Sequence, residues 1–564
     1  MKYRSTRGKS TGLSFEEAVF EGLATDGGLY IPHSIPELNP AEIQSWATLS
    51  YPEIATNIFR KFIAQDEIPD AHLADIVARS FATFSTPEVT PLEKLPNVTT
   101  EQNNPALDNL FVLELFHGPT FAFKDVALQV LGNLFEYFLQ RKNQNRPADS
   151  EAYGITVLGA TSGDTGGAAI YGLRGKKNVD VFILHPKGRI SSVQEQQMTS
   201  VLDPNVHNIA VEGTFDDCQD IVKASFSDDP FRRRFHLAAV NSINWARILA
   251  QTSYYFYSYF AVQKRVGSFE KSGARVQYSV PTGNFGDVLA GYYAVRMGLP
   301  IDRFIIATNE NDILHRFFQT GRYEKKKTPT GDEQVKMTLS PAMDILVSSN
   351  FERLVWYLVR GDGRSSGPTA ATPDAEDAKA RKASESIALW MNQLKEKGGF
   401  TVPDDVLARG KELFTSFCTS DKLTADAIHR YYHHQFTSYP SPHYVLDPHT
   451  AVGVVAAEQV ILTGTPTTTP TYTICLSTAS PGKFPDAVLD AINNVLPHQP
   501  QSNHPTGFKP VTYADIAPSQ LVALAGLPKR VVEVSTDGGD KHVGLKKVQH
   551  VVEQTVGFKF SSSK

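Results

Sequence analysis

Between Phe111 and Thr308 the chain repeats one pattern: a short apolar or β-branched run, a polar turn that often carries glycine, and a helical stretch. The runs are FVLEL (111–115), GITVLGA (154–160), VDVFIL (179–184), NIAV (208–211), VQYSV (276–280) and FIIAT (304–308). Helical periodicity covers Asp125–Arg141, Thr165–Leu173, Trp245–Gln263 and Asp287–Met297. Strands that alternate with helices pair in parallel, because each crossover returns the chain to the same edge, so the class is α/β with helices on both faces. Ligands of such sheets sit beyond the carboxyl ends of the strands. Two later runs, YTICLS (472–477) and Arg530–Val534, read as further strands.

A chain of 564 residues is long enough for more than one core. Its 41% hydrophobic and 20% charged residues exclude global disorder, and a net charge of -5 removes the basic excess that nucleic acid demands. The three cysteines, Cys218, Cys418 and Cys475, form no C-x-x-C pair, so neither a thiolate zinc site nor a disulfide framework is expected. No run approaches 18 apolar residues and Met1–Thr11 is polar, which predicts a cytoplasmic enzyme with no membrane partner. Gly361–Ser384 reads as a solvated linker followed by helices with polar faces. Gly8-Lys9-Ser10 ends like a P-loop, but Tyr3 stands where the first glycine would fall. Asn97-Val98-Thr99 is a glycosylation acceptor only in a secreted chain. His429, His433 and His434 have helical spacing without a completing carboxylate or cysteine, so they read as a helix face and no metal is expected.

Three loops and a lysine carry the chemistry. In LFHGPTFAFKD (115–125) a strand ends, Gly118-Pro119 turns, and Lys124 follows apolar residues at the mouth of a helix. Desolvation there favours the neutral amine that condenses with a carbonyl or takes a proton, although a lysine whose ammonium snorkels to solvent fits the same pattern. GATSGDTGG (159–167) and VPTGNFGD (280–287) each follow a strand and open a helix, so their backbone amides can hold a carboxylate or a phosphate; a plain strand-to-helix turn is the alternative for each. At Asp287 the amide, not the carboxylate, should face the anion. Two anion-binding turns and one desolvated lysine on one sheet match the needs of a pyridoxal phosphate enzyme.

The segments YRSTRG (3–8), SFEEAVFEGLATDGGLYIP (14–32), ELFHGPTFAFKD (114–125), GATSGDTGG (159–167), NSINWARILAQ (241–251), PTGNFGD (281–287), TNENDI (308–313), TLSPAMDI (338–345) and STASPGKF (477–484) occur in order along nearly the whole chain. In them the chain resembles the long-form threonine synthases, members of the fold type II pyridoxal phosphate enzymes. The resemblance implies that Lys124 carries the cofactor and that Gly283, Asn284, Phe285, Gly286 and Asp287 cup its phosphate. Thr478, with Ser477 as the alternate, faces the pyridine nitrogen. It further implies that Ser162, Gly163, Asp164 and Thr165 bind the substrate carboxylate, although shorter members carry Asn at the position of Asp164, beside the ring. Ser242, Asn244 and Arg247 take the substrate phosphate. Where the family motif reads T-A-H-P-A-K-F, this chain has Ser480 for the histidine and Gly482 for the second alanine, with Thr478, Pro481 and Lys483 kept.

The implied reaction converts O-phospho-L-homoserine and water to L-threonine and phosphate, by γ-elimination and β-replacement. The rivals are a phospholyase releasing 2-oxobutyrate, a serine or threonine dehydratase, and a non-catalytic binding homologue. The expected organisation is an N-terminal mostly helical domain (1–105), a small α/β lobe with Lys124 and the SGDTG turn (106–275), a large cofactor-binding lobe (276–530) with a helical insertion at about 361–440, and a C-terminal tail (531–564). A monomer or weak homo-oligomer is expected.

Overall fold

The structure is a computed structural model that describes residues 1–98, 105–147, 152–267, 269, 272–327, 334–364, 372–434, 444–464, 469–494, 509–538 and 540–561. Two open sheets carry the repeated pattern. The larger has the order Phe414–Cys418, Ile301–Thr308, Arg275–Pro281, Thr471–Ser477, Leu110–Glu114, Leu92–Lys94, and every pairing is parallel except the last. The smaller is wholly parallel, in the order Val532–Val534, Val206–Val211, Val179–Pro186, Ile155–Ala160, Leu237–Ala238. All eight residues of Val179–Pro186 are buried, as a strand covered on both faces requires.

Three expectations about organisation change. Leu110–Glu114 pairs with Thr471–Ser477 in the larger sheet, so the strand preceding Lys124 does not belong to the lobe expected at 106–275. The interval expected to be helical at 361–440 contains the strand Phe414–Cys418, whose alternation of buried and half-buried residues suits the sheet edge it extends. Within the tail expected at 531–564, Val532–Val534 extends the smaller sheet, and helix Lys541–Ser561 buries Val548, Val552 and Val556, spaced one turn apart, in a cluster with Cys218 and Ile221. Within the stretch read as a linker, Pro373–Lys397 is a helix that packs Ala380, Ala383 and Ile387 inward, and Ser384 Oγ accepts from Trp356 Nε1 at 3.0 Å; residues 365–371 lie outside those described.

Gly8-Lys9-Ser10 lies in the turn between strands Tyr3–Ser5 and Thr11–Leu13, with Gly8 at φ +89°. His429 Nδ1 and His433 Nε2 each lie 3.0 Å from carbonyl oxygens, those of Ala491 and Ile492, so these rings join two helices. Helix Trp245–Arg265 is buried nearly all round and forms the spine between the N-terminal helices and the larger sheet. Among the described residues no helix is long and apolar enough to cross a membrane.

Candidate active site

In the larger sheet Thr471–Ser477 lies between Leu110–Glu114 and Arg275–Pro281, so the loops carrying Lys124, Thr478 and Gly283–Asp287 leave adjacent parallel strands at one edge. The first two loops are tied together: Phe123 N donates to Thr478 O at 2.8 Å, Ser480 N to Phe121 O at 3.0 Å, and Ala122 bridges Ala479. The Ser477 hydroxyl lies 3.0 Å from Thr450 Oγ1, whereas no described group pairs with the Thr478 hydroxyl.

Lys124 opens helix Lys124–Gln144 and is half-buried, its side chain 12% exposed, with Nζ 4.7 Å above the Phe123 ring and 3.6 Å from Asp164 Oδ2. Burial lowers its pKa; Asp164 opposes that shift, while Lys483 and Arg247 add to it. Asp164 starts helix Asp164–Leu173, and its Oδ1 accepts from Lys483 Nζ at 2.8 Å and Gln194 Nε2 at 3.0 Å. Burial alone would raise this carboxyl, but Lys483 and Lys124 hold it below the usual carboxylate range. Asp164 was expected among the groups that bind a substrate carboxylate. Its side chain is instead turned to two ammonium groups, and an anion fixed there repels a second carboxylate. Gly163 does fit such a role, with φ +142° at the start of the helix, where an added Cβ would fall 2.3 Å from Gln194 Oε1. Thr161 Oγ1 accepts from the amides of Gly163 and Gly166, both at 2.9 Å, and fixes the turn, leaving Ser162 exposed and Thr165 half-buried.

The loop 282–286 enters helix Gly286–Arg296 through Phe285 at φ +59°. Among the described residues no protein group accepts from the amides of Asn284, Phe285, Gly286 or Asp287, so this helix start presents free donors, as a phosphate cup must. The Asp287 carboxylate faces away: Oδ1 accepts from Tyr254 OH at 2.5 Å and Tyr255 OH at 2.8 Å, while Oδ2 has no described partner. Burial pushes this carboxyl up to about 6, against the two tyrosine hydrogen bonds. Its pKa is thus higher folded than unfolded, so its contribution to stability is complete below pH ~4 and is lost as pH rises through that folded value. Asp287→Asn keeps the acceptor for both tyrosines and removes the charge. In cofactor-free protein it should gain on the parent by about 2–3 kcal/mol between pH 4 and 8, read from urea unfolding at each pH; a constant difference would contradict the account.

Ser242, Asn244 and Arg247 lie at the head of helix Trp245–Arg265. Asn244 is its N-cap: Oδ1 accepts from Ala246 N at 3.1 Å and Nδ2 donates to Val19 O at 2.8 Å, so its amide is engaged in orienting the helix. Arg247 is buried. Its Nη1 donates to Val240 O at 3.2 Å, its Nε has no described partner, and no described carboxylate pairs with it. Burial alone lowers it to about 10, so it stays cationic at neutral pH. A buried guanidinium without a protein counter-ion is costly, and marks a site built for an anion.

Sequence reasoning missed the support behind these loops. Ser348 Oγ donates to Gly283 O at 2.6 Å, Ser349 Oγ to Asn284 Oδ1 at 3.1 Å, and Asn350 Nδ2 to Asn284 O at 2.9 Å and Ser242 O at 3.2 Å. The buried Arg353 donates to Asn350 Oδ1, Tyr30 O and Ile243 O at 2.5, 2.9 and 2.7 Å, joining the cup, the 242–244 turn and the N-terminal strands. Nothing local in the sequence marks that role. Lys483, fully buried, was visible in STASPGKF without a function assigned to it.

Gly482 has a packing reason: a Cβ there would come within 2.6 Å of Ala517 Cβ and 2.7 Å of Ala517 Cα. The chain after Thr512 thus closes over the motif with Leu521, Leu524 and Val193. Gly482→Ala should lower stability by roughly 1–3 kcal/mol and expose this segment to limited proteolysis; an unchanged melting curve and digestion pattern would contradict that reading.

Comparison with known proteins gives the family. The family description "Threonine synthase N terminus" matches residues 2–81, "Pyridoxal-phosphate dependent enzyme" 84–384 and "Threonine synthase, C-terminal" 450–543. A threonine synthase of Schizosaccharomyces pombe is 50% identical over 95% of this chain and 98% of its own. The crystal structure of threonine synthase from yeast matches with a TM-score of 0.84 at 47% identity, covering 99% of each chain. The pyridoxal-phosphate-bound threonine synthase from Brucella melitensis gives 0.77 at 37% identity, over 98% of this chain and 99% of its own. With three matched segments spanning most of its length and relatives half identical to it over nearly the whole chain, the chain belongs to the threonine synthase family of pyridoxal-phosphate-dependent enzymes.

Proposed function

We propose that this chain holds pyridoxal phosphate through Lys124 and the Gly283–Asp287 cup and converts O-phospho-L-homoserine and water to L-threonine and phosphate. The free amides at the start of Gly286–Arg296 fit the cofactor's phosphate, and Thr478, the hydroxyl not engaged elsewhere, suits the ring nitrogen better than Ser477 does. When bound, the cofactor supplies an electron sink for the charge left on Cα.

The protein's part is to move protons and hold groups. Lys124, whose burial favours the neutral amine, takes the Cα proton and later returns one. The amides after Gly163, with Ser162 and Thr165, grip the substrate carboxylate, and Asp164 orients Lys124. Arg247, positioned by Asn244 and assisted by Ser242, holds the phosphate that leaves Cγ with the electrons of its C–O bond once a Cβ proton has been removed; Cγ is then protonated and water adds at Cβ.

The observation that carries the reading is the buried Arg247, which has no carboxylate partner among the described residues and whose charge acts on Lys124: with the cup assigned to the cofactor's phosphate, a second anion site asks for a phosphorylated substrate. Holoprotein should release phosphate from O-phospho-L-homoserine and leave L-serine and L-threonine intact. Deamination of the unphosphorylated amino acids, with O-phospho-L-homoserine untouched, would refute it.

A further inference from the structure

Lys483 is buried at 0% side-chain exposure, and its ammonium meets three acceptors: Thr120 O at 2.8 Å, Gln197 Oε1 at 3.0 Å and Asp164 Oδ1 at 2.8 Å. An ammonium has three protons, so none remains for substrate or solvent. The acceptors come from three places: the loop before Lys124, helix Ser192–Thr199, and the turn after Ile155–Ala160. Lys483 itself follows Thr471–Ser477, so one side chain joins both sheets at the point where their loops meet. Asp164 divides its oxygens between the two lysines, with Oδ1 in contact with Lys483 and Oδ2 3.6 Å from Lys124.

We propose that Lys483 is a positioning residue of this site: its three-point anchorage holds the Asp164 carboxylate aside and satisfies most of its charge, so that Lys124 is not closed into a contact ion pair and stays free to react. The proposal rests on Lys124 as the reacting lysine. Without Lys483, Asp164 would be a buried anion with Lys124 as its nearest cation. The 3.6 Å gap would then close, because a buried carboxylate is strongly destabilised unless it contacts a cation. The other charged groups that act on Lys124 are Arg247, a cation, and Asp287, whose carboxylate is bonded to two tyrosines. Neither is positioned by Lys483, whose bonds run to Thr120, Gln197 and Asp164.

The test is made on cofactor-free protein, where the reactivity of Lys124 is read from acetic anhydride labelling against pH, with peptide mass analysis. Lys483→Met should move the labelling midpoint of Lys124 up by roughly one pH unit, Asp164→Asn should move it down, and the double variant should fall between Asp164→Asn and the parent. A Lys483→Met protein that is less stable but labels at the parent's midpoint would reduce Lys483 to a packing role and overturn the proposal. If Lys483→Met does not fold, the double variant decides. Folding with an intermediate midpoint supports the proposal, since removal of the anion removes the need for its cation; failure to fold overturns it. Failure of the cofactor assignment shows separately, as borohydride trapping on a lysine other than Lys124 in the parent holoprotein.

Discussion

Replacing Lys124 by alanine should abolish threonine formation, with at least the roughly 10²–10⁴-fold loss that follows from removing a positioned proton-transfer group. The variant should still fold, because a buried lysine is itself unfavourable and Asp164 keeps Lys483 and Gln194 as partners. The Gly283–Asp287 cup should still hold the cofactor by its phosphate, now without covalent attachment. Borohydride should therefore fix the cofactor to a single peptide of the parent, the one containing Lys124, and to none of the variant. The instructive competitor is Lys483, the fully buried lysine of the site. Its ammonium is occupied by three acceptors and is not available for attachment. Trapping on Lys483 would overturn the assignment.

The second large effect is expected at Arg247. Removing one partner of a buried charge-assisted contact costs about 2–5 kcal/mol, so Arg247→Ala should lower kcat/KM for O-phospho-L-homoserine by roughly 30- to 5,000-fold. Cofactor absorbance and cofactor affinity should be unchanged, because the cup amides are separate from this side chain. Arg247→Met should also leave the cofactor-free protein at least as stable as the parent, since it removes a buried cation that no described carboxylate balances. Loss of cofactor from either variant would show that Arg247 serves the cofactor's phosphate and not the substrate's.

Much of this site was legible in the sequence because its working parts are local. A strand, a glycine turn and a helix start within a dozen residues suffice to place a row of free amides, and Gly283–Asp287 has that form in the fold. Helix positions followed closely: Gly286–Arg296 against an expected Asp287–Met297, and Trp245–Arg265 against Trp245–Gln263. What the sequence did not disclose depends on contacts between distant segments. Leu110–Glu114 precedes the Lys124 loop yet pairs with Thr471–Ser477, in a register that joins residues 363 apart in the chain, such as Leu110 and Thr473. Arg353 links Tyr30, Ile243 and Asn350, three segments that no local pattern unites. Asp164 lies in a turn whose glycines and helix start read as an anion binder. Its side chain is claimed by Lys483, which is more than 300 residues away in the chain and absent from any pattern at the turn itself. The C-terminal strand and helix were invisible for a similar reason, since the apolar stripe Val548, Val552, Val556 gains its meaning only from the cluster around Cys218 that it covers.

The central claim is that this site adds water at Cβ and does not only expel phosphate. Lys124 alone would permit elimination; retention of the unsaturated product requires the grip of the turn after Ile155–Ala160 and of the helix start behind it. Holoprotein incubated with O-phospho-L-homoserine in oxygen-18 water, with mass analysis of all products, measures this directly. The account predicts one L-threonine for each phosphate released, with the label in its hydroxyl group. Phosphate accompanied mainly by 2-oxobutyrate, with little labelled threonine, would contradict it.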